Sequence, residues 1–323
     1  MTAKTQLSLP GSVRPYLQNR LPDWTEARWF QSYEEACAIA PGAQIGWFDL
    51  LDKAHMTQAV MLAKDMKWLN SVYAGVDGLP LPTLKARGVA LTNGVGINAI
   101  TIAEYVLLGM LNIAKSYREV VHAQARHEWL REAPGKVELF GSRALILGFG
   151  AIGQLVAERL QAFGVAVTAV RRSVVAGDGT AAGISVLGPT QWRARLGEFD
   201  WVILAVPATP ETDAMIGSAE LAAMKNSATL INVARGSVVD QVALTDALTQ
   251  KTIGAAFLDV TSPEPLPADH PLWQLPNAHI SMHLSGRAQT KMFERAAERF
   301  LANLQRFKNG EPLTHQVDLD AGY

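Results

Sequence analysis

The sequence predicts an α/β protein with two parallel-sheet domains. Short apolar runs, typical of strands that are buried on both faces, alternate with segments of helical spacing along most of the chain. A glycine-rich turn lies between one such strand and the helix that follows it. The length of 323 residues is sufficient for two domains, each with its own core.

The glycine-rich turn follows the strand pattern of Ala144 to Leu147. Gly148, Gly150 and Gly153 form the spacing G-x-G-x-x-G ahead of an amphipathic helix and a second strand. The first glycine permits the tight turn, the second leaves room for a pyrophosphate, and the third lets the helix pack against the strand. Alone the motif is a weak signal, because glycine is common in turns. Between a strand and a helix it indicates a Rossmann-type, doubly wound dinucleotide-binding domain.

The end of the second strand indicates which dinucleotide binds. A site for NAD usually places Asp or Glu about 20 residues beyond the glycines, where it binds the ribose hydroxyls. Here the strand ends in Arg171, Arg172 and Ser173. Guanidinium groups and a hydroxyl would bind the 2'-phosphate of NADP, which a carboxylate would repel. We therefore expect NADPH to be preferred, with NAD possible; the alternative is a solvated basic turn.

The composition bounds the class of protein. The 29 basic and 30 acidic residues balance, so nucleic acid is not an expected partner. Cys37 is the only cysteine, which excludes an internal disulfide and fits a reducing compartment. The first residues lack the apolar segment of a signal peptide, and no apolar run reaches the roughly 18 residues that a membrane span needs. We expect a soluble cytoplasmic protein without a metal site.

A smaller α/β domain is predicted on either side of the dinucleotide domain. Strand and helix patterns alternate before residue 98, and a helical pattern near the C terminus is expected to return to them. The predicted domains are a discontinuous, flavodoxin-like substrate domain of residues 1–97 and 288–323 and a dinucleotide-binding domain of residues 98–287. The apolar stretch from Ala99 to about Ala125 exceeds the usual helix length, and we expect it to bridge the two domains.

One loop of the smaller domain is a candidate anion site. It runs from Tyr73 to Gly78, directly after a predicted strand, where ligands of parallel sheets bind. Its backbone amides around Gly75 and Val76 can bind a carboxylate without a basic side chain. A simple turn explains the same residues equally well.

Polar residues at predicted strand ends of the larger domain fit hydride transfer to a carbonyl group. Hydride addition leaves charge on the carbonyl oxygen, which needs a cationic neighbour and a proton. The fork of Arg235 suits the first task. Histidine has its ordinary pKa nearest to neutral pH, so His283 suits the second, and Glu264 would orient the imidazole. Each residue taken singly also fits an ordinary turn, loop or strand end.

Together these motifs resemble the NAD(P)-dependent D-isomer-specific 2-hydroxyacid dehydrogenases, of the glyoxylate/hydroxypyruvate reductase type, over nearly the whole chain. The matching stretches are AGVD at 74–77, ELFGSRALILGFGAIG at 138–153, VPATPET at 206–212, LINVARGSVVD at 230–240, GAAFLDVTSPEPLP at 254–267 and HPLWQLPNAHISMHLSG at 270–286. Their common order and spacing make the resemblance specific.

The resemblance implies a role for each matching residue. His283 matches the acid/base histidine, Glu264 its acidic partner and Arg235 the residue that binds the substrate and polarises its carbonyl. Amides at Gly75 and Val76 match the carboxylate cradle. The implied cofactor contacts are Ala151 and Ile152 at the pyrophosphate, Val206, Pro207 and Thr212 on the adenine side, Val233 and Ala234, and Asp259 near the nicotinamide amide. A homodimer joined through the nucleotide domains is also implied.

Two departures from the family pattern concern the substrate pocket. Met282 stands where the family usually has Pro before the histidine, and Gly286-Arg287 follows where small residues are usual. Tyr73 takes the place of a smaller residue. With Trp47 it would line a pocket for a bulkier 2-oxo acid, or both are core residues.

The sequence therefore predicts a reductase that uses NADPH to convert a 2-oxo acid into the D-2-hydroxy acid. Related scaffolds also oxidise phosphite, formate or 3-phosphoglycerate; the last is less expected, because the chain ends soon after its final helix. A dinucleotide-sensing corepressor of the C-terminal-binding-protein kind is the alternative from a different class.

Overall fold

The computed structural model describes residues 4–76, 78–172, 183–287 and 289–322. The chain forms two compact units. Unit 1 comprises Met1–Asn98 and Gln289–Tyr323, and unit 2 comprises Ala99–Ala288. Both units are parallel sheets flanked by helices, which confirms the predicted fold class.

Unit 1 contains a five-stranded parallel sheet. Its strands are β1 (Thr5–Pro10), β2 (Thr25–Phe30), β3 (Ile45–Gly46), β4 (Trp68–Asn70) and β5 (Ala90–Thr92). They lie in the order β2-β1-β3-β4-β5, which is the flavodoxin-like order. The helices between them are α1 (Arg14–Leu17), α2 (Tyr33–Ile39), α3 (Lys53–Leu62) and α4 (Leu81–Ala86), with 3-10 turns at Gly11–Val13 and Ala40–Gly42.

Unit 2 contains a seven-stranded parallel sheet. Its strands are β6 (Arg143–Leu147), β7 (Ala166–Val170), β8 (Ser185–Leu187), β9 (Trp201–Leu204), β10 (Thr229–Asn232), β11 (Ala255–Leu258) and β12 (Ala278–Ile280). Its helices are α5 (Ala99–Ala114), α6 (Tyr117–Ala125), α7 (Ala151–Ala162), α8 (Ser218–Ala223) and α9 (Gln241–Thr249), with 3-10 turns at Arg193–Glu198, Gly236–Val238 and Pro271–Trp273. The last helix, α10 (Met292–Asn309), belongs to unit 1.

Helices cover both faces of each sheet. In β6, Ala144 and Ile146 pack with buried residues of α5 and α7, whereas Leu145 and Leu147 pack with those of α8 and α9. In β4, Trp68 and its neighbour Leu69 likewise belong to different cores. Successive side chains of a strand point to opposite faces, so burial of both faces requires the continuous apolar runs seen in the sequence.

The strand order of unit 2 reverses between β6 and β9. The sheet runs β12-β11-β10-β9-β6-β7-β8, so the chain leaves β6 in one direction and leaves β9 in the other. Loops that follow such neighbouring strands diverge and leave a crevice at the carboxyl edge of the sheet. The glycine turn after β6 stands at this edge.

The apolar stretch from Ala99 to Ala125, which exceeds the usual length of one helix, forms two shorter helices, and both belong to unit 2. α5 and α6 meet at 70°. Ser116 between them has a φ of 47°, and a left-handed residue cannot continue a right-handed helix. No single helix in the described part of the chain is long and apolar enough to cross a membrane, although this bent pair passes that test on length and composition alone.

Candidate active site

The glycine turn after β6 is shaped by two close backbone approaches. Gly148 has a φ of 100°, and a Cβ there would lie 2.4 Å from the carbonyl oxygen of Ala205, just beyond β9. A Cβ on Gly153 would lie 2.1 Å from the carbonyl oxygen of Gly148. Any side chain at either position would therefore move the backbone.

The space beside Gly150 is open. Gly150 precedes the first turn of α7, and a Cβ built on it meets no atom within 4 Å. The N–H groups of that first turn, including those of Ala151 and Ile152, can thus be approached by an anion. The three glycines differ in what they require, and only the middle one faces open space.

Arg171 and Arg172 follow β7 at the same edge. The backbone N–H of Arg171 donates to Leu187 of β8 at 3.2 Å. The pKa of Glu211 is lowered mainly by a hydrogen bond from Thr209 and in part by the charge of Arg172. The side chain of Arg172 therefore acts on the loop that follows β9. Ser173, the third predicted residue, lies outside the described residues.

The loop after β9 is closed by one threonine. Thr212 Oγ1 donates to the carbonyl oxygen of Pro207 at 2.7 Å and accepts from the N–H of Thr209 at 2.8 Å. Val206, which precedes this closed loop, is half-buried. The threonine thereby fixes the shape of the loop that begins at Val206.

Arg235 stands at the end of β10 on a turn held by a buried asparagine. Asn232 Oδ1 accepts from the N–H of Ala234 at 3.0 Å, and its Nδ2 donates to the carbonyl oxygen of Arg235 at 3.0 Å. Val233 and Ala234 are buried, whereas Arg235 is half-buried. A Cβ on Gly236 would lie 2.0 Å from the carbonyl oxygen of Thr261, so glycine is needed for the turn to approach the loop after β11.

Glu264 and His283 form a hydrogen-bonded pair in unit 2. His283 Nδ1 lies 2.8 Å from Glu264 Oε2, with the two side chains 42% and 38% exposed. Glu264 Oε1 accepts from the N–H of Thr261 at 3.2 Å. The carboxylate thus bridges the loop after β11 and the imidazole, and it leaves Nε2 of the ring for another partner.

The charge of Arg235 reaches this pair. Burial by itself would raise the pKa of Glu264, but the hydrogen bond and charge of His283, the N–H of Thr261 and the charge of Arg235 together lower it below its ordinary value. Glu264 is therefore a carboxylate at neutral pH. The structure brings the three predicted catalytic residues together within unit 2.

Asp259 holds the loop that carries His283. It is 2% exposed. Its Oδ1 accepts from Ser281 Oγ at 2.7 Å and from the N–H groups of Leu284 and Ser285 at 3.1 and 3.2 Å. Ser285 Oγ donates to Oδ2. Both carboxylate oxygens are therefore occupied by residues on either side of His283, and a contact with the cofactor stays a prediction.

The backbone at His283 is left-handed. Met282 and His283 have φ values of 54° and 55°, a conformation that costs about 1–2 kcal/mol for each residue with a side chain. Proline could not stand at Met282, because its ring fixes φ near −65°. A residue other than Pro at position 282 is therefore required by this backbone conformation.

The candidate anion loop lies at the carboxyl edge of unit 1. Gly75 is half-buried and Val76 is buried. Trp47 is 0% exposed, and its ring centroid lies 5.3 Å from that of Phe300. Trp47 is therefore a core residue, and of the proposed aromatic pair only Tyr73 is exposed.

Three supporting residues were not singled out from the sequence. Asn232 shapes the Arg235 turn and Ser285 binds Asp259. Asp49 binds the start of the Gly75 loop, which comprises residues 71–76 after β4. The only signal was position, because each follows or ends a strand at the carboxyl edge of its sheet. Their roles depend on partners that are distant in sequence.

Comparison with known proteins points to one family. The model of the D-isomer specific 2-hydroxyacid dehydrogenase NAD binding domain matches residues 107–285. The chain is 34% identical over 250 residues to glyoxylate reductase from Korarchaeum cryptofilum (strain OPF8). The aligned region covers 73% of this chain and 71% of that protein.

Longer relatives match as well. D-3-phosphoglycerate dehydrogenase from Mycobacterium leprae (strain TN) is 30% identical over 304 residues, covering 94% of this chain and 56% of that protein, so the chain spans about half the length of such relatives. Among solved structures, D-isomer specific 2-hydroxyacid dehydrogenase from Xanthobacter autotrophicus Py2, in complex with NADPH and MES, is 26% identical. The TM-score is 0.78, with 99% of this chain and 100% of that chain covered.

Proposed function

Because this chain belongs to the D-isomer specific 2-hydroxyacid dehydrogenase family, we propose that it reduces a 2-oxo acid to the D-2-hydroxy acid with NADPH as the preferred cofactor. The substrate is of the glyoxylate or hydroxypyruvate type, or a bulkier 2-oxo acid. The observation that carries the proposal is the 2.8 Å hydrogen bond between His283 and Glu264, within reach of the charge of Arg235. The similarity to a glyoxylate reductase supports the substrate class.

The residues at the carboxyl edge of unit 2 fit a dinucleotide. The open space at Gly150 suits a pyrophosphate bound by the amides of Ala151 and Ile152, since no side chain stands in front of the helix. When bound, the reduced cofactor supplies the hydride that adds to the carbonyl carbon. The other residues proposed to border it are Gly148, Gly153, Val206, Pro207, Thr212, Val233, Ala234 and Asp259.

The preference for NADPH rests on Arg171, Arg172 and Ser173, which follow β7. A strand end with two guanidinium groups and no carboxylate favours a 2'-phosphate. The charge of Arg172 acts on Glu211, so this cation lies near the loop that follows β9. The similar structure from Xanthobacter autotrophicus Py2, solved with NADPH, supports the same cofactor.

Each proposed catalytic residue of unit 2 has a separate role at the carbonyl oxygen. Glu264 holds Nδ1 of His283, so the opposite nitrogen, Nε2, donates the proton. Arg235 stabilises the charge that develops on the oxygen, because the guanidinium fork is a cationic hydrogen-bond donor. Asp259 keeps the loop of His283 in its left-handed conformation through four hydrogen bonds.

The substrate carboxylate is proposed to bind the loop of unit 1. The amides of Gly75 and Val76 supply N–H donors without a charged side chain. Tyr73 is exposed beside them and would contact a larger 2-oxo acid. Trp47 is excluded from this role by its complete burial.

We also propose a cytoplasmic homodimer. Unit 2 carries exposed apolar side chains on α5, α6 and the segment before β12, namely Leu108, Tyr117, Val121 and Trp273. They line one cavity of about 470 Å³. Contiguous exposed apolar surface marks an interaction site. Light scattering tests this directly: Val121→Glu should convert a dimer into a monomer, and a wild-type monomer would contradict the proposal.

The function is tested with a substrate panel. The purified protein is supplied with NADPH or NADH and with glyoxylate, hydroxypyruvate, phenylpyruvate or 3-phosphohydroxypyruvate, and reverse reactions are run with phosphite and formate. We expect turnover of at least one 2-oxo acid and a higher kcat/KM with NADPH. Binding of NADPH without turnover of any substrate would instead favour a dinucleotide-sensing corepressor.

A further inference from the structure

Asp49 lies behind the Gly75 loop and binds its first residues. It follows β3, and the loop follows the neighbouring strand β4. Asp49 Oδ1 accepts from Ser71 Oγ at 2.7 Å, and Oδ2 accepts from the N–H of Val72 at 2.6 Å. The indole N–H of Trp47 donates to Oδ2 at 2.6 Å. Both oxygens of one carboxylate are therefore engaged.

Ser71 extends the hydrogen bonds of Asp49 to the next part of the loop. Its Oγ donates to Asp49 and also accepts from the N–H of Tyr73 at 3.1 Å. Two consecutive N–H groups of the loop, those of Val72 and Tyr73, are thus fixed by Asp49 directly or through one hydroxyl. Such local hydrogen bonds set the direction in which the following amides point.

The other side of the loop is fixed by two further hydrogen bonds. Asn93 Nδ2 donates to the carbonyl oxygen of Ala74 at 2.9 Å, and the N–H of Gly94 donates to that of Tyr73 at 2.8 Å. Within the described part of the chain, the N–H groups of Gly75 and Val76 donate to no protein acceptor. The loop is held at both ends while these two donors stay available for an anion.

We propose that Asp49 is a positioning residue that sets the affinity for the substrate carboxylate. The inference rests on the proposed function of Gly75 and Val76. Asp49 acts through the loop, because its oxygens are already bound by Trp47, Ser71 and Val72. The groups assigned to proton transfer belong to unit 2, whereas Asp49 and the loop that it binds belong to unit 1.

Loss of Asp49 should therefore weaken binding of the 2-oxo acid without changing the rate of the chemical step. In Asp49→Ala, the N–H of Val72 and the hydroxyl of Ser71 lose a charged acceptor, and the loop is no longer fixed at its start. We expect KM for the 2-oxo acid to rise about 10-fold or more, since a hydrogen bond to a charged group is worth at least that factor, with kcat unchanged.

Asp49→Asn is the conservative variant. Its Oδ1 can replace Oδ2 and accept from Trp47 and Val72, while its Nδ2 can donate to Ser71 Oγ. All three contacts are kept, so KM should stay within about twofold of the wild type. Ser71→Ala removes only the relay to Tyr73 and serves if Asp49→Ala does not fold.

Asp52 provides the matched control in the same segment. Its side chain accepts from the N–H of His55 at 2.9 Å and caps α3, and within the described residues it makes no hydrogen bond to Ser71, Val72 or Tyr73. Asp52→Ala should lower the stability of unit 1 by the usual cost of a lost cap without changing KM.

The experiment measures kcat and KM for the best 2-oxo acid of the panel and the dissociation constant of oxalate, an unreactive dicarboxylate, with NADPH present. Weaker oxalate binding and a higher KM in Asp49→Ala or Ser71→Ala, with Asp49→Asn and Asp52→Ala unchanged, support the inference. If no 2-oxo acid of the panel is turned over but oxalate binding is lost in the same variants, Asp49 positions the loop and the proposed function fails. Unchanged oxalate affinity, equal weakening in Asp52→Ala, or no oxalate binding by the wild type overturns the inference.

Discussion

Glu264 holds the imidazole of His283 through one hydrogen bond, with 2.8 Å between Oε2 and Nδ1. The other oxygen of Glu264 is bound by the N–H of Thr261, so the carboxylate cannot turn away without losing a second contact. This arrangement fixes both the orientation of the ring and which nitrogen faces a ligand. It links two loops of unit 2 that are 19 residues apart in sequence.

Replacing Glu264 with Gln should slow reduction without weakening NADPH binding. The carboxylate has a lowered pKa and faces the imidazole of His283 as an anion at neutral pH. Gln keeps a hydrogen-bonding oxygen but removes the charge. We expect kcat to fall about 10-fold or more, since a hydrogen bond to a charged group is worth at least that factor, while the affinity for NADPH is unchanged. A kcat equal to that of the wild type would show that the charge of Glu264 does not contribute to the reaction.

Substitution of Gly150 and of Gly153 by Ala should have different effects, one on cofactor binding and the other on stability. Gly150→Ala places a methyl group in open space, so thermal stability should be preserved while the cofactor binds at least about tenfold more weakly. Gly153→Ala places its methyl group 2.1 Å from the Gly148 oxygen and should lower the free energy of unfolding by about 1–3 kcal/mol. Thermal melts and NADPH titrations distinguish the two. Equal losses of stability would contradict the open space at Gly150.

Arg172→Ala should weaken NADPH far more than NADH. Removal of a charged donor to a phosphate corresponds to a loss of about 10-fold or more in kcat/KM, whereas NADH has no phosphate at this position. Arg193→Ala is the control, because Arg193 pairs with Glu220 at 2.9 Å in the same unit. If both cofactors lose the same factor, the arginine contributes general attraction and does not select NADPH.

Asp49 should make the stability of unit 1 fall as the pH rises from about 4 to about 6. Burial of its carboxylate raises its pKa from 3.8 to about 6, although hydrogen bonds from Val72, Ser71 and Trp47 oppose this shift. The folded unit therefore holds a proton that the unfolded chain has already lost, and this contribution disappears as the pH passes the folded pKa.

Melting temperatures of the wild type and Asp49→Asn, measured over this range, test the dependence on pH. The difference between them should change between about pH 4 and pH 6 and then level off, because Asn does not titrate. A constant difference would mean that the carboxylate ionises as it does in the unfolded chain.

The strands could be predicted from the sequence where both faces of the sheet are buried. The cores of β6, β9, β10 and β11 are continuous apolar runs. β2 was not predicted, because it is an edge strand in which only Thr25 and Phe30 are fully buried. The break between α5 and α6 was also missed, since it depends on the left-handed backbone of Ser116, which apolar spacing does not report.

The residues of the candidate site likewise include some that could be predicted from the sequence and some that could not. Arg235, Glu264 and His283 could be selected from their chemistry and motifs, and unit 2 brings them together. Asp49 and Ser285 could not, because their importance lies in hydrogen bonds to residues 23 and 26 positions away. The sequence gives the residue type at such a position, but it does not show which distant loop the side chain binds.

Steady-state turnover of His283→Ala, with NADPH and the best 2-oxo acid of the panel, tests the role of His283 as proton donor. We expect kcat to fall about 10²–10⁴-fold, the usual worth of a general acid, while the dissociation constant of NADPH stays at the wild-type value. A kcat within about threefold of the wild type would contradict the proposed proton transfer from His283.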